Sequence, residues 1–570
     1  MSSLRKQYSL AYNPILEYWE QIENGKVIVG DKVRRIYKKL AADVRKTDWE
    51  YEYSPSRANH AIEFIENYCK HSKGKWGGKP IDLELWQKAF LAATFGFIST
   101  IDGTRKYREV LLVVARKNGK STIASGMGLY LQIADGEPGA EVYACATKKD
   151  QAKLVWAEAK RMVNKSPSLR SRIKPLVAEL VSTWNDSSFK PLGADSETLD
   201  GLNVSGALLD EIHAWKDRNL YDVIVDGTSS REQPLIVMIT TAGTVREAVY
   251  DLKYEETESM LNHIGQEYEE GELDPYEHFL PIVYELDSRH EWSDPACWAK
   301  ANPGLGTIKK IDQLETKVAK AKKNAMLLKN LLCKDFNVRE TSTESWLSFE
   351  DLNNEATFDV TELGFKYGIG GADLSETTDL TAAKVIAMRR DDPIVYVFQM
   401  YWLPEDLIDK RSEEDNIPYN LWRDRGLLRT TPGNKVHHRF VTEWFVEIQT
   451  ELGIYIPWLG YDRWSADYWV EEMAGYFGNN AMEPVAQGKQ TLSGPMKLLG
   501  ADLTAKLVNY NNNPIDKWCL SNTAVDLDMK NQTIQPHKGK NQRRRIDGTA
   551  ALLNAYVALE RHREEYMALI

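Results

Sequence analysis

Between Val110 and Ile123 the chain reads VLLVVARKNGKSTI, and the polar residues in it are of the types that handle phosphate. A basic turn, Arg116, Lys117, Asn118 and Gly119, runs straight into Lys120, Ser121 and Thr122. Backbone N–H groups in such a turn, with the N-terminus of a following helix, cradle anionic oxygens. Lys120 is placed to neutralise β- and γ-phosphates, and the Ser121 hydroxyl to join a Mg²⁺ shell. The usual first glycine of such a loop, five residues before Gly119, is Val114 here. The plain alternative is an accidental GKS in a surface turn.

About ninety residues on, Asp210 and Glu211 close an apolar run, VSGALL. An acidic pair there suits ATP chemistry: Asp210 holds Mg²⁺ through water, and Glu211 polarises the attacking water. A third apolar run, Leu235 to Ile239, ends in Thr240, Thr241, Ala242 and Gly243, whose hydroxyls can sense a γ-phosphate. Upstream lie Trp86 and Gln87. A Gln amide pairs with N6 and N7 of adenine and an aromatic ring stacks on the base; the alternative is a core Trp with an exposed Gln.

A second set of chemistry lies in the C-terminal half. Asp373 and Asp462 each follow an apolar run, and Asp547 opens the closing helical stretch. Three carboxylates converging there suit two Mg²⁺ or Mn²⁺ ions about 4 Å apart, one activating water and one stabilising a leaving 3′-oxygen. Asp379 and Asp467 are lesser candidates, read as a turn former and a solvent-facing acid. Lys538, Lys540, Arg543, Arg544 and Arg545 form the densest basic cluster, where a DNA backbone would lie; a flexible charged loop is the alternative. Gln487 to Pro495 reads as a mobile loop beside it.

These residues require elements to hold them. Val110–Val114, Glu141–Ala146, Val204–Leu209, Leu235–Ile239 and Leu280–Leu286 read as buried strands alternating with helices, which predicts a parallel sheet wrapped by helices. A basic helix is expected over about Lys309 to Lys329, and an irregular linker after it. Tyr367–Ala372, Leu380–Met388 and Ile394–Tyr401 then read as an antiparallel meander. A helix near Arg439–Leu452, a strand Ile454–Tyr461 and a last helix from Asp547 complete a second α/β pattern. The expected division is a basic helical segment 1–60, a phosphate-loop domain 61–334, a linker 335–362 and a second domain 363–570. In the first segment Arg34, Arg35, Lys38, Lys39, Arg45 and Lys46 read as a solvated helix face rather than a DNA contact.

The whole chain sets bounds on these readings. At 570 residues it holds two or more domains. It contains no run of eighteen apolar residues and opens with no apolar signal region, so no membrane contact is expected. Its five cysteines are scattered without metal-ligand spacing, which suits a reducing cytosol. The formal charge of −11 argues against wholesale coating of nucleic acid and leaves room for a local basic groove.

Taken together, the motifs resemble those of the large terminase subunits of tailed bacteriophages, the motors that pump DNA into procapsids. WQ at 86–87, RKNGKS at 116–121, ATKKDQA at 146–152, LLDEIH at 208–213, ITTAG at 239–243, ANPGLG at 301–306, GADLSETTDLTA at 371–382, YDRWSAD at 461–467 and RIDGTAALLNA at 545–555 stand in family order. The resemblance implies an N-terminal ATPase of the additional-strand class and a C-terminal nuclease of the ribonuclease H type with a mixed sheet. It carries the phosphate-binding lysine onto Lys120 and the acidic pair onto Asp210 and Glu211. The coupling motif falls on Thr240, Thr241 and Gly243, and the nuclease acids on Asp373, Asp462 and Asp547. It implies ATP, Mg²⁺ at the ATPase site and two Mg²⁺ or Mn²⁺ at the nuclease. The implied partners are double-stranded DNA, the portal protein, a small terminase subunit and further copies in a ring, all in the host cytoplasm. Some members carry an arginine finger before the acidic-pair strand; here that stretch, SETLDGLN, has none, and Arg231 is the expected substitute. Two other readings stay open: a helicase-like translocase fused to a nuclease for repair or restriction, and a non-enzymatic portal-docking protein with a vestigial ATP site.

Overall fold

The computed structural model describes residues 5–193, 201–215, 218–243, 248–266, 273–340, 345–375, 380–415, 417, 419–462, 467–528, 531–539 and 544–570. The chain separates into two compact units, one from the chain up to Arg339 and one from Glu340 onward.

The first unit is built on an eight-stranded sheet. Six of its strands are parallel: β1 (Glu109–Val113), β2 (Glu141–Ala146), β3 (Ser187–Gly193), β4 (Gly206–Asp210), β5 (Leu235–Thr240) and β6 (Phe279–Val283). They lie in the order β6-β1-β5-β4-β2-β3, and the short antiparallel strands Leu180–Ser182 and Lys174–Pro175 extend the β3 edge. A parallel strand covered on both faces has no polar side to show. That is why β5 is buried at every position and reads as an unbroken apolar run. The insertion of β5 between β1 and β4 is the additional-strand arrangement. In register, Val113 pairs with Thr240, and Asp210 pairs with Ile239.

The N-terminal segment does not stand apart from this unit as a domain of its own. Helices Pro14–Glu23 and Asp31–Asp43 bury Ile15, Tyr18, Ile22, Val33, Ile36 and Leu40 in the same core as β1. Their charged positions mask an apolar stripe at helical spacing. The basic helix also differs from expectation. It is two helices, α1 (Ile311–Lys323) and α2 (Ala325–Asp335), broken at Asn324, whose backbone is extended.

The second unit is built on a seven-stranded mixed sheet. β7 (Tyr367–Asp373), β8 (Thr381–Arg389) and β9 (Asp392–Pro404) form the expected antiparallel meander. β10 (Tyr455–Asp462) joins β7 in parallel, and β11 (Met482–Val485) joins β10. The last helix, α3 (Asp547–Arg561), lies directly on β7 and β10. It comes so close that a Cβ at Gly371 would collide with the Ala551 carbonyl, and one at Gly460 with that of Asn554. Glycine is required at both positions for the helix to seat.

Two stretches read as loose are ordered here. Within the expected linker, Phe349 and Leu352 are buried in the second unit's core. Within the expected loop 487–495, Lys489 begins a helix, Lys489–Thr504, that contains Pro495. Leu492, Met496, Leu499 and Leu503 bury one face of it, and that spacing outweighs the proline's local cost.

Candidate functional site

The phosphate loop follows β1 and turns at two left-handed residues, Lys117 (φ 70°) and Gly119 (φ 86°). A left-handed lysine is strained, and such strain persists where the surroundings over-determine it. Asn118, between them, supplies that restraint. Its side chain is fully buried, and it turns away from the cleft rather than toward a nucleotide. Nδ2 donates to the Ala115 carbonyl (2.9 Å) and to Asn302 Oδ1 (3.1 Å), while Oδ1 accepts from the Gly304 N–H (3.0 Å). The ANPG turn therefore braces the loop from behind. Asn302 is in turn held by Lys309 (2.7 Å), which pairs with Asp335 at 2.9 Å.

Lys120 opens the helix Lys120–Ile133, as expected for a phosphate-loop lysine. Its ammonium is buried and donates to the Val114 carbonyl at 2.8 Å. Burial brings it down to about 8, against the pull of Glu211 and Asp210. Burial and the neighbouring Glu211 push the Asp210 carboxyl the other way, up to about 6. Glu211 takes a left-handed backbone (φ 53°), and its Oε2 lies 3.2 Å from His213 Nδ1. These groups line an open cleft of about 660 Å³ with Arg116, Lys117, Gly119, Ser121, Thr122 and Gln151. That size is ordinary for a cofactor site. A buried ammonium and a carboxylate whose charge is disfavoured by burial are a set short of a polyanion and a cation, so the residues fit a nucleotide with a divalent metal. Thr240 Oγ1 bonds His213 Nδ1 (2.8 Å), and Thr241 Oγ1 is buried without a hydrogen-bond partner among the described residues.

Three further residues expected at a nucleotide have partners within the chain. Trp86 is a core residue: it is buried, donates to Glu84 Oε2 at 2.9 Å and packs edge-on against Tyr284. Its place on the buried face of Leu85–Gly96 leaves no ring free to stack on a base. Gln87 does reach the phosphate loop, since a Cβ at Gly119 would lie 3.3 Å from its Nε2. Its Oε1, however, caps its own helix by accepting from the Glu84 N–H. Arg231, expected to reach the ATP of a neighbouring copy, precedes β5 and lies at the opposite strand end from this chain's own cleft. Its guanidinium is engaged with Glu137 (3.3 Å) and the carbonyls of Gly139 (3.0 Å) and Asn203 (3.2 Å). It is a brace between loops.

In the second unit, register brings the acids to one end of the sheet. Ala372 pairs with Tyr461, so Asp373 and Asp462 follow side by side at the ends of β7 and β10. Asp373 also pairs with Ala382, and Ala382 with Tyr401. The N-terminus of α3 sits over that row, with Gly548 packed on the Tyr401 hydroxyl. Asp547 is thus buried at the same end. Among the described residues no group of three or more His, Cys, Asp or Glu is gathered tightly enough to hold a metal ion. Asp379 and the Asp467 side chain lie outside what is described.

Three residues of the basic cluster are described. Lys540 and Arg543 lie outside the described residues, Lys538 and Arg544 are half-buried, and Arg545 is buried. Arg545 makes a two-pronged pair with Asp415, Nε to Oδ2 at 2.9 Å and Nη2 to Oδ1 at 3.1 Å. Its charge is already spent inside the fold and does not face a DNA backbone. Sequence reading also passed over three residues that shape the ATP cleft: His213, Asn302 and Lys334. His213 and Asn302 stand within the quoted motifs LLDEIH and ANPGLG, but Lys334 has no such marker.

Comparison with known proteins agrees with this geometry. Residues 85–259 match the family model of the terminase large subunit ATPase domain, and residues 272–563 match that of the terminase large subunit endonuclease domain. The chain therefore belongs to the large terminase subunits. The second match begins ahead of the second unit, so its first part falls on residues that fold with the ATPase. The terminase large subunit of Enterobacteria phage HK97 is 27% identical over 506 residues, 87% of this chain and 94% of that one. That of Lactococcus phage p2 is 22% identical over 556 residues, 95% of this chain and 98% of that one. The crystal structure of the HK97 bacteriophage large terminase is 24% identical, covering 88% of this chain and 99% of that one with a TM-score of 0.47. The protein is an ATPase and an endonuclease, with use of a nucleotide and of divalent metal, and these are the two activities of a phage DNA-packaging motor. Among the described residues no helix is long and apolar enough to cross a membrane.

Proposed function

We propose that this chain drives double-stranded DNA into a viral procapsid by ATP hydrolysis and cuts concatemeric DNA with a two-metal nuclease. The observation that carries the reading is the place of β5. Thr240 at its end is in register with Val113 of the phosphate-loop strand, and its neighbour Ile239 with Asp210. A change at the γ-phosphate can therefore be felt by one strand between the two others. Lys120 holds the β- and γ-phosphates, Ser121 and Asp210 would hold Mg²⁺, and Glu211 polarises the attacking water. Asp373, Asp462 and Asp547 would hold two Mg²⁺ or Mn²⁺. Bound metal supplies charge neutralisation on phosphate and a more acidic water. Lys538, Lys540, Arg543 and Arg544 face the DNA backbone in this reading. The partners are the portal protein, a small terminase subunit and further copies of this chain in a ring on the portal, in the host cytoplasm.

Phosphate release and plasmid nicking, measured side by side, test the assignment. Glu211→Gln should keep binding of a fluorescent ATP analogue and lose turnover by about 10²-fold or more. Asp373→Asn and Asp547→Asn should each lose metal-dependent cutting and keep ATP turnover. Wild-type turnover in Glu211→Gln would remove the base, and cutting by both aspartate variants would remove the acids. ATP-dependent packaging of DNA into purified procapsids tests the coupling.

A further inference from the structure

We propose that Lys334 is a positioning residue for ATP hydrolysis, which holds the His213 imidazole so that it in turn fixes the Glu211 carboxylate to the end of β5. The inference rests on the reading of Glu211 as the group that polarises water. Lys334 lies in the last turn of α2, far along the chain from every motif of the ATP site. Its ammonium contacts His213 Nε2. An ammonium only donates, so that nitrogen accepts, and the imidazole is neutral with its proton on Nδ1. Nδ1 lies 2.8 Å from Thr240 Oγ1 and 3.2 Å from Glu211 Oε2. Thr240 gives its own hydrogen to the Thr241 carbonyl (2.9 Å), which leaves its oxygen to accept. The Nδ1–H therefore serves a hydroxyl on the coupling strand and the catalytic carboxylate together. With Lys334 gone, Nε2 loses that donor and the ring loses a contact that fixes its plane, so the Nδ1–H is no longer held in its aim at Glu211.

The same residue grips the phosphate loop, since its carbonyl accepts from the Arg116 N–H at 2.9 Å. Its neighbours tie the segment to β5's extension: Cys333 Sγ lies 3.5 Å from the Gly243 carbonyl, and Asn337 Oδ1 accepts from the Ala242 N–H at 3.1 Å. The segment at the end of α2 thus touches the phosphate loop and the extension of the coupling strand, and reaches Glu211 through His213. A side-chain change at Lys334 leaves its backbone bond to the loop in place. The predicted defect therefore falls on the chemical step and not on nucleotide capture.

The experiment is steady-state ATPase with fluorescent-ATP binding on the full chain. In Lys334→Met, kcat should fall about 10²-fold while analogue affinity stays within about threefold, the signature of a misplaced catalytic group. Lys334→Gln keeps an N–H donor without charge and should recover most of that loss. In a Glu211→Gln background, adding Lys334→Met should cost nothing further, because both act on one group. Glu211→Gln alone reports on the base itself, so its failure is separate from a failure at Lys334. Normal kcat in Lys334→Met, an equal loss of binding, a Gln variant as slow as the Met variant, or an additive loss in the double variant would each overturn the proposal. If Lys334→Met does not fold, the Gln variant and its Glu211→Gln double decide the matter by the same readings.

Discussion

Asn118→Ala should separate the bracing of the phosphate loop from its chemistry. The substitution removes three hydrogen bonds of 2.9, 3.0 and 3.1 Å from a fully buried side chain. Asn302 Oδ1 keeps Lys309, but the buried Gly304 N–H loses its side-chain acceptor. A stranded buried donor costs roughly 1–3 kcal/mol, and the lost bonds and small void bring the total to about 3 kcal/mol. The first unit has roughly 330 residues, so its unfolding entropy is about 0.7 kcal/mol/K and its melting point should fall by about 4 °C. Nucleotide affinity should fall as well, because the left-handed Lys117 beside Asn118 is no longer held in its strained form. If half of the 3 kcal/mol appears in binding, Kd for an ATP analogue rises about tenfold. Scanning calorimetry without nucleotide and an analogue titration give the two numbers. Arg116→Ala, on the exposed face of the same loop, should leave the melting point within about 1 °C. An Asn118→Ala protein that melts with the wild type would refute the brace. One that melts early but binds normally would show the loop held by other means.

Three further outcomes follow from the geometry. Lys120 titrates near 8 without nucleotide, and a bound triphosphate restores its charge. Binding should then take up about half a proton at pH 8 and weaken above it, since the neutral lysine must be recharged, whereas uptake should decline below pH 8 and be close to nil by about pH 6.5. Asp210, near 6, should make Mg²⁺ binding fail as pH falls through 6, because its proton must leave. Calorimetry in buffers of different ionisation heat reads both, and uptake that persists in Lys120→Met would refute the assignment. In the second unit, Arg545→Ala should strand the buried Asp415 at roughly 3–5 kcal/mol, a melting shift of about 6 °C or more, with the salt dependence of DNA binding unchanged. A flattened salt slope at normal stability would return Arg545 to the DNA surface.

What was legible in the sequence and what was not divides along a physical line. Strands covered on both faces must be unbroken apolar runs, so β1, β2, β4 and β5 could be placed to within a residue or two. A residue that follows such a run sits at the sheet's rim, which is where Asp210, Glu211, Asp373 and Asp462 lie. Residue type at a position says which chemistry a side chain can do but not which neighbour has already claimed it. Arg545 has the composition of a phosphate contact, yet Asp415, 130 positions away, takes its guanidinium. Asn118 sits among phosphate-binding residues, yet Asn302 and Gly304 turn it inward. Trp86 has the ring for a base and lies on the wrong face of its helix. Lys334 is the converse case. It stands past the end of the basic helix expected over about Lys309 to Lys329, and a separation of 121 positions hides its contact with His213. Only folding brings them together, and the proton placement that follows depends on a donor that no local pattern marks. Motif reading therefore locates the groups that meet substrate. The groups that set their protonation and aim come from contacts distant in sequence, and those are where substitution should separate turnover from binding.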